Sequence, residues 1–152
     1  MSTATVKAPA PRFTRFQAAA LYKKAMAAGD AAAAAAIPAP MVVGTPKNLL
    51  GSLMGGDDGG FDPAKPVYYV SEGVCGRATV VIRPGNSSFA RFVMKNDYGY
   101  KRYYGGVAMS VVSRTSPLFR SQSYERYQAA ASAAAAVLRE AGIDAYVDSW
   151  MD

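Results

Sequence analysis

Histidine is absent from this sequence of 152 residues, and Cys75 is its only cysteine. These absences exclude zinc sites built from cysteine and histidine, nucleophile systems of the Ser-His-Asp or Cys-His type, and disulfides within the chain. Cys75 stands in the apolar segment "GVCGRATVVI", which is more typical of a small core residue than of a reactive thiol. We therefore expect no metal and no cofactor, and a reducing compartment fits the sequence.

Long hydrophobic runs are also missing. No segment reaches the roughly 18 apolar residues that are needed to span a bilayer. The first residues, "MSTATVKAPAPRFTRF", lack the apolar core of a signal peptide. We therefore expect a cytoplasmic protein that does not enter a membrane.

Acidic residues are scarce in the middle of the chain. The net charge is +6, and residues 67–120 carry eight lysines and arginines against Glu72 and Asp97. Residues 121–152 reverse the sign, with five acidic residues against two arginines. A basic middle segment predicts a polyanionic partner, although a net charge of this size also serves solubility alone.

Composition divides the chain into three parts. Residues 1–43 predict a tail followed by a helix from Thr14 to Ala28 that ends at Gly29, after which a short helix capped by Asp30 begins. Residues 44–66 hold six glycines and three prolines, which predicts a loop or linker. The large apolar residues cluster after residue 66, so residues 67–152 are expected to form the globular domain.

Periodicity within residues 67–152 predicts the element order β-β-α-β-α-β. The strands are "VYYV", "VCGRATVVIR", "VAMSVVS" and "IDAYVDSW", and the clearest helix is "SYERYQAAASAAAAVLREAGI". We therefore predict an α+β fold, a single domain with a mixed sheet and helices on one face, preceded by a helical N-terminal extension. The other face is expected to be partly open or covered by the N-terminal helix.

The string "RPGNSSFARFV…GYKRYYGGVAMSV…QSYERYQAAASAAAAVLREAGIDAYVDSWMD" resembles small uncharacterised proteins encoded by tailed bacteriophages. The resemblance covers about residues 67 to 152 and carries no activity with it. It implies a phage-type origin and work in the cytoplasm of the host bacterium. Basic phage proteins of this size include nucleic-acid binders and inhibitors of host machinery, including defence systems.

The segment "NDYGYKRYYGGV" is the densest patch of candidate binding chemistry. Single-stranded nucleic acid is bound by basic grooves with aromatic side chains on which bases stack. The candidate residues in and beside this segment are Arg77, Arg83, Tyr98, Tyr100, Lys101, Arg102 and Tyr103. In the alternative interpretation Tyr103 and Tyr104 begin a strand, one of them packs in the core, and Lys101 and Arg102 lie in a solvated turn.

A second candidate is "RPGNSS", where Asn86 or Ser87 caps a helix. Backbone N–H groups at a helix start, two hydroxyls and the nearby Arg83 suit a phosphate or a carboxylate. Asn and Ser are also what any helix start prefers, so the same residues fit a purely structural cap. The segment lacks the Gly-Lys-Ser/Thr ending of a P-loop.

The acidic residues stand in no catalytic or metal-binding motif, so we expect no catalytic residues and a protein that is not an enzyme. A third class is an inhibitor that binds a host protein or nucleoprotein complex, since Trp150 and Met151 are residue types enriched at interfaces. The sequence thus predicts a non-enzymatic basic phage-type protein that contacts nucleic acid through a Tyr/Lys/Arg-rich loop, with the anti-defence inhibitor as the alternative.

Overall fold

The computed structural model describes residues 7–152, apart from the side chain of Pro117. The α-helices are α1 (Arg15–Ala35), α2 (Leu49–Leu53), α3 (Ser88–Lys95) and α4 (Tyr124–Glu140), and a 3₁₀ turn covers Pro117–Arg120. The strands are β1 (Met41–Val43), β2 (Tyr68–Val70), β3 (Gly76–Arg83), β4 (Gly99–Lys101), β5 (Val107–Ser110) and β6 (Asp144–Met151). The protein is a single α+β domain, as the sequence predicts.

The main sheet has the strand order β4-β5-β3-β6, and every neighbouring pair is antiparallel. The prediction of a mixed sheet is therefore wrong, and the reason is a strand that periodicity did not reveal. The short β4 follows α3, and β5 inserts between β3 and β4, so that no two parallel strands are neighbours. From β3 onward the order is β-α-β-β-α-β, which is the connectivity of the split βαβ, or ferredoxin-like, motif.

The predicted strand "VYYV" does not join this sheet. Its residues Tyr68–Val70 form β2, which pairs antiparallel with β1 and places Met41 opposite Val70. Between these strands the chain folds back on itself, with backbone hydrogen bonds from Lys47 to Gly60 and from Asn48 to Asp58. We call residues 41–70 the arm. Its central part has defined geometry, but α2 buries none of its residues.

The core lies on one face of the main sheet. Strand alternation on β3 turns Ala78, Val80 and Ile82 toward it. Helix α3 adds Phe89, Ala90 and Val93, while α4 adds Leu138 and a series of alanines. Because α4 carries Ala130, Ala131, Ala134 and Ala135 at buried positions, it can approach both the sheet and another helix closely.

That other helix is α1, which is continuous through the predicted end at Gly29. A Cβ on Gly29 would lie 3.1 Å from the carbonyl oxygen of Ala130, so this glycine marks the close crossing of α1 and α4. Thr14 caps the helix in a capping box with Gln17. Asp30 is not a cap; its carboxylate accepts a 2.7 Å hydrogen bond from the hydroxyl of Ser116.

Helix α1 also contributes Ala18, Ala25 and Ala33 to the same core as the sheet. It is therefore an integral part of the domain rather than an extension beside it. Because α1, α3 and α4 all pack on one side, the opposite face of the main sheet has no helix over it.

Candidate functional site

The second face of the main sheet is built by the residues that alternate with the core positions. On β3 these are Arg77, Thr79, Val81 and Arg83, and the strand register places β6 side chains beside them. We call this surface the open face. Its members are Arg77, Thr79, Val81, Arg83, Tyr100, Ala108, Ser110, Asp144, Tyr146, Asp148 and Trp150.

A cluster of arginine and tyrosine side chains crosses the open face. The hydroxyl of Tyr146 accepts hydrogen bonds from Arg83 and from Arg102, each at 3.0 Å. The Cζ atom of Arg83 also lies 5.1 Å from the centroid of the Tyr146 ring, within cation–π distance. Arg102 makes a second contact, a 2.8 Å ion pair with Asp148.

Arg102 therefore does not lie in a solvated turn. Only 23% of its side chain is exposed, because it extends from the end of β4 across β5 and β3 to reach β6. Val81 and Ala108 belong to the open face and yet are fully buried.

The predicted tyrosines of the β4–β5 hairpin occupy different places. Tyr100 is 55% exposed and belongs to the open face. Tyr103 and Tyr104 are 94% and 83% exposed at the hairpin tip, where their rings meet edge to face at 5.0 Å. The alternative in which one of them packs in the core is wrong. Lys101 is exposed, but strand alternation turns it away from the open face.

Tyr98 lies on the core side of the sheet, and the structure separates it from the other predicted binding residues. Its ring stacks on Tyr22 of α1 with a centroid distance of 4.1 Å and an interplanar angle of 3°. The pKa of the Tyr22 hydroxyl is raised to about 12, mainly by burial and to a smaller extent by the neighbouring Tyr98 and Asp30. The Tyr98–Tyr22 pair is a packing contact between α1 and the start of β4.

Asn86 and Ser87 lie near Arg83 but are not part of the open face. The hydroxyl of Ser87 accepts a 3.2 Å hydrogen bond from the backbone N–H of Ala90, so Ser87 is the N-cap of α3. Asn86 is exposed. The purely structural interpretation of this segment accounts for Ser87. No feature of the geometry indicates that Asn86 binds a ligand.

At the Arg77 end, the open face borders a cleft of about 810 Å³, which Ala78 and Tyr127 line from the core side. Its lining includes Arg77, Thr79, Tyr100, Phe119, Arg120 and Trp150. Sequence reasoning missed the contributions of Thr79, Arg120, Tyr146 and Asp148. The available signal was the alternation in "IDAYVDSW", which places Asp144, Tyr146, Asp148 and Trp150 on one side of a strand whose other side is apolar.

Acidic groups do not gather into a metal site in the part of the chain that the structure describes: residues 7–152 contain no cluster of three or more His, Cys, Asp or Glu side chains. A separate ion pair, Arg126 with Glu72 at 2.6 Å, lowers the pKa of Glu72 through its hydrogen bond. Arg126 also donates to the backbone carbonyl oxygens of Ala33 and Ala36, so this pair holds the end of α1 and the turn after β2 together.

Comparison of the chain with protein-family models, with curated proteins and with solved structures gave no match. Across residues 7–152 the structure contains no helix whose length and apolar character would let it cross a bilayer.

Proposed function

We propose that this protein binds single-stranded nucleic acid on its open face, assisted by the β4–β5 hairpin. The observation that carries the proposal is a four-stranded antiparallel sheet with every helix of its core on one side and arginines and aromatic side chains on the other. Single-strand binding needs cations that follow the phosphates and flat rings on which bases stack, and the open face supplies both.

The charges of the open face favour an anion. Asp148 is paired with Arg102, and Asp144 is paired with Lys7. Arg77 and Arg83, by contrast, form no ion pair with any residue between 7 and 152. The two acidic side chains of the face are thus neutralised, while two guanidinium groups keep their charge for a ligand.

The dimensions suit a few extended nucleotides. Arg77 and Arg83 lie near opposite ends of β3, and six residue steps along a strand span about 20 Å. Tyr100 and Trp150 offer exposed ring surface on the two edge strands. Unpaired bases present the flat surfaces that such rings bind, whereas the bases of a duplex are already stacked on one another.

Two further parts of the proposal, a role without catalysis and the site of action, rest on the sequence. We infer a binding role without catalysis, because none of the open-face residues forms a recognisable acid–base or nucleophile system. The resemblance to phage-encoded proteins supports a site of action in the cytoplasm of an infected bacterium.

The proposal is tested by binding of a labelled single-stranded oligonucleotide. Fluorescence anisotropy measures the affinity at several salt concentrations. The double variant Arg77→Gln with Arg83→Gln is expected to weaken binding and to lower the slope of log affinity against log salt by roughly 0.7 for each phosphate that is no longer neutralised. The matched control is Arg91→Gln with Lys95→Gln, which removes the same charge from exposed positions of α3 on the helix side. Equal effects of the two double variants would show nonspecific charge attraction, and no binding by the wild type at about 50 mM salt would end the proposal.

A second candidate function is binding to a host protein or nucleoprotein complex, and the arm favours it. Leu49, Leu50, Leu53 and Met54 are between 62% and 80% exposed on and beside α2. Exposed apolar patches are a feature of protein interaction sites. If this function holds, a partner that survives nuclease treatment is retained by the wild type and released when residues 46–63 are replaced by a Gly/Ser linker.

A further inference from the structure

Thr79, which lines the cleft at the Arg77 end of the open face, carries a buried hydroxyl. Thr79 lies in the middle of β3, opposite Ser110 on one side and Asp148 on the other. Its Oγ1 atom is buried, and it has no hydrogen-bond partner among the described residues. A buried hydroxyl without a partner is destabilising, so each one in a folded protein calls for an explanation.

The neighbours of Thr79 are already engaged. The hydroxyl of Ser110 donates to the carbonyl of Val112 and accepts from the N–H of the same residue. The carboxylate of Asp148 is held by Arg102. Thr79 lines the cleft, and a change of its side-chain rotamer would bring the buried hydroxyl to a ligand there.

Two cations stand at the same cleft. Arg77 and Arg120 both line it, both are exposed, and neither forms an ion pair within residues 7–152. Two guanidinium groups that line one cleft favour an anion there, and their planar donor sets match phosphate oxygens.

Aromatic side chains complete the lining. Trp150 is the cross-strand neighbour of Arg77 and lies on the same side of the sheet. Tyr100 and Phe119 line other parts of the cleft. Its volume of about 810 Å³ lies within the range of small-molecule sites, which is about 300–1,000 Å³.

We propose that this cleft holds a single nucleotide, with its phosphate between Arg77 and Arg120 and its base on the Trp150 ring. A polar atom of the nucleotide bonds to the Thr79 hydroxyl, which a rotamer change of Thr79 turns into the cleft. The inference rests on the proposed function and deepens it, because it identifies the cleft as the place where one nucleotide of the bound strand is held. The same chemistry would bind a free nucleoside monophosphate.

Trp150 is the only tryptophan of the chain, so its fluorescence reports on this cleft. Titration with adenosine 5′-monophosphate is expected to quench it saturably, and adenosine without phosphate is expected to bind at least about tenfold more weakly because it makes no charge-assisted contacts. Arg77→Gln and Arg120→Gln are each expected to raise the dissociation constant by about tenfold or more. Arg114→Gln removes an exposed charge from the same loop region without touching the cleft and is expected to leave binding unchanged.

Thr79→Val provides the sharpest variant, because it removes the hydroxyl and keeps the shape. Because this hydroxyl has no partner in the free protein, its removal should leave the melting temperature of the variant unchanged or higher than that of the wild type. The same variant should bind the nucleotide more weakly. Calorimetric titration gives the affinity independently of fluorescence. If the Arg77, Arg120 and Thr79 variants show the same fluorescence quenching as the wild type, the inference is overturned.

A short oligonucleotide separates this inference from the proposed function. If oligonucleotides bind while Trp150 fluorescence and monophosphate binding show nothing, the open-face function stands and the cleft assignment is wrong. If the monophosphate binds the cleft and oligonucleotides do not bind, the cleft is a site for free nucleotides and the proposed single-strand function is wrong. If neither ligand binds, both proposals fall.

Discussion

The guanidinium of Arg102 donates a 3.0 Å hydrogen bond to the hydroxyl of Tyr146, and this contact joins the two edge strands of the sheet across its two central strands. Neighbouring strands are about 4.8 Å apart, so the pair spans a width that only two long side chains reaching toward each other can cover. The contact fixes the middle of the open face and divides it into the Arg83 end and the cleft at Arg77.

The first prediction concerns this bridge. Arg102→Ala removes the hydrogen bond to Tyr146 and the ion pair to Asp148. We expect a loss of about 1–2 kcal/mol, since both partners are partly exposed and solvent weakens the ion pair. Thermal unfolding should show a melting temperature several degrees lower. Lys101→Ala, at the preceding exposed position, should leave it unchanged, and equal melting of the two variants would contradict the structural role of Arg102.

The second prediction concerns the crossing of α1 and α4. The space at Gly29 is limited by the carbonyl oxygen of Ala130, so Gly29→Leu forces the helices apart. Overpacking of this kind costs typically 1–3 kcal/mol. Ala27→Leu is the matched control, because it adds the same side chain at an exposed position two residues away. Chemical denaturation should show a lower free energy of unfolding for Gly29→Leu alone, and a tolerated leucine would mean that the helices do not cross here.

The third prediction is a pH dependence that originates at Tyr22. Its pKa is raised to about 12 in the folded protein, mainly by burial, against about 10 in an unfolded chain. Below pH 10 both states keep the proton. Between pH 10 and pH 12 the unfolded state ionises first, so stability falls as pH rises through this window.

Comparison of Tyr22→Phe with the wild type isolates this contribution. The variant should lose less stability than the wild type between pH 10 and pH 12, as measured by denaturant unfolding at each pH. Tyr104→Phe changes an exposed tyrosine and should behave as the wild type does. Parallel curves for all three proteins would show that Tyr22 ionises as freely as an exposed tyrosine.

The fourth prediction concerns the arm. Its large apolar side chains at Leu49, Leu50, Leu53 and Met54 are exposed, so residues 46–63 contribute little to the core. Their replacement by a short Gly/Ser linker should leave the melting temperature within a few degrees, because loop length has a small effect on stability. Loss of cooperative unfolding would show that the arm packs on the body of the domain.

Several features of the fold could be predicted from the sequence, because they rest on local periodicity. The alternation on β3 and the alanine-rich stripe of α4 place the core correctly. Strand β4 escaped prediction because it has three residues and begins with Gly99, whose close approach to Ala108 leaves no room for a side chain. Without β4 the predicted element order implies direct parallel crossovers, which is why a mixed sheet was expected.

The site was harder to predict than the fold, because it depends on contacts between distant segments. Arg77, Arg83, Tyr100 and Arg102 are brought together on or across the open face, as the sequence suggested. Tyr98 was misplaced because it lies just before β4, and no local pattern reveals that its ring stacks on Tyr22 of α1. The predicted helix end at Gly29 was wrong, since the role of this glycine is a tertiary contact with Ala130 that no local pattern reveals.

The final prediction concerns the tip of the β4–β5 hairpin, where Tyr103 and Tyr104 expose nearly their whole rings. Tyrosines buried in the core would cost roughly 3–5 kcal/mol of stability when cut back to alanine. At the tip, Tyr103→Ala and Tyr104→Ala should leave the melting temperature unchanged, because neither ring packs on the domain.

If the hairpin contacts a single strand, each change should instead weaken oligonucleotide binding by about 1–3 kcal/mol, the contribution of one stacked base, with little effect on the salt dependence. Anisotropy titrations beside thermal melts measure both quantities, and Phe89→Ala, at a fully buried position, gives the reference for a core truncation. Unchanged binding in both tyrosine variants would remove the hairpin tip from the interface and leave the open face alone to carry it.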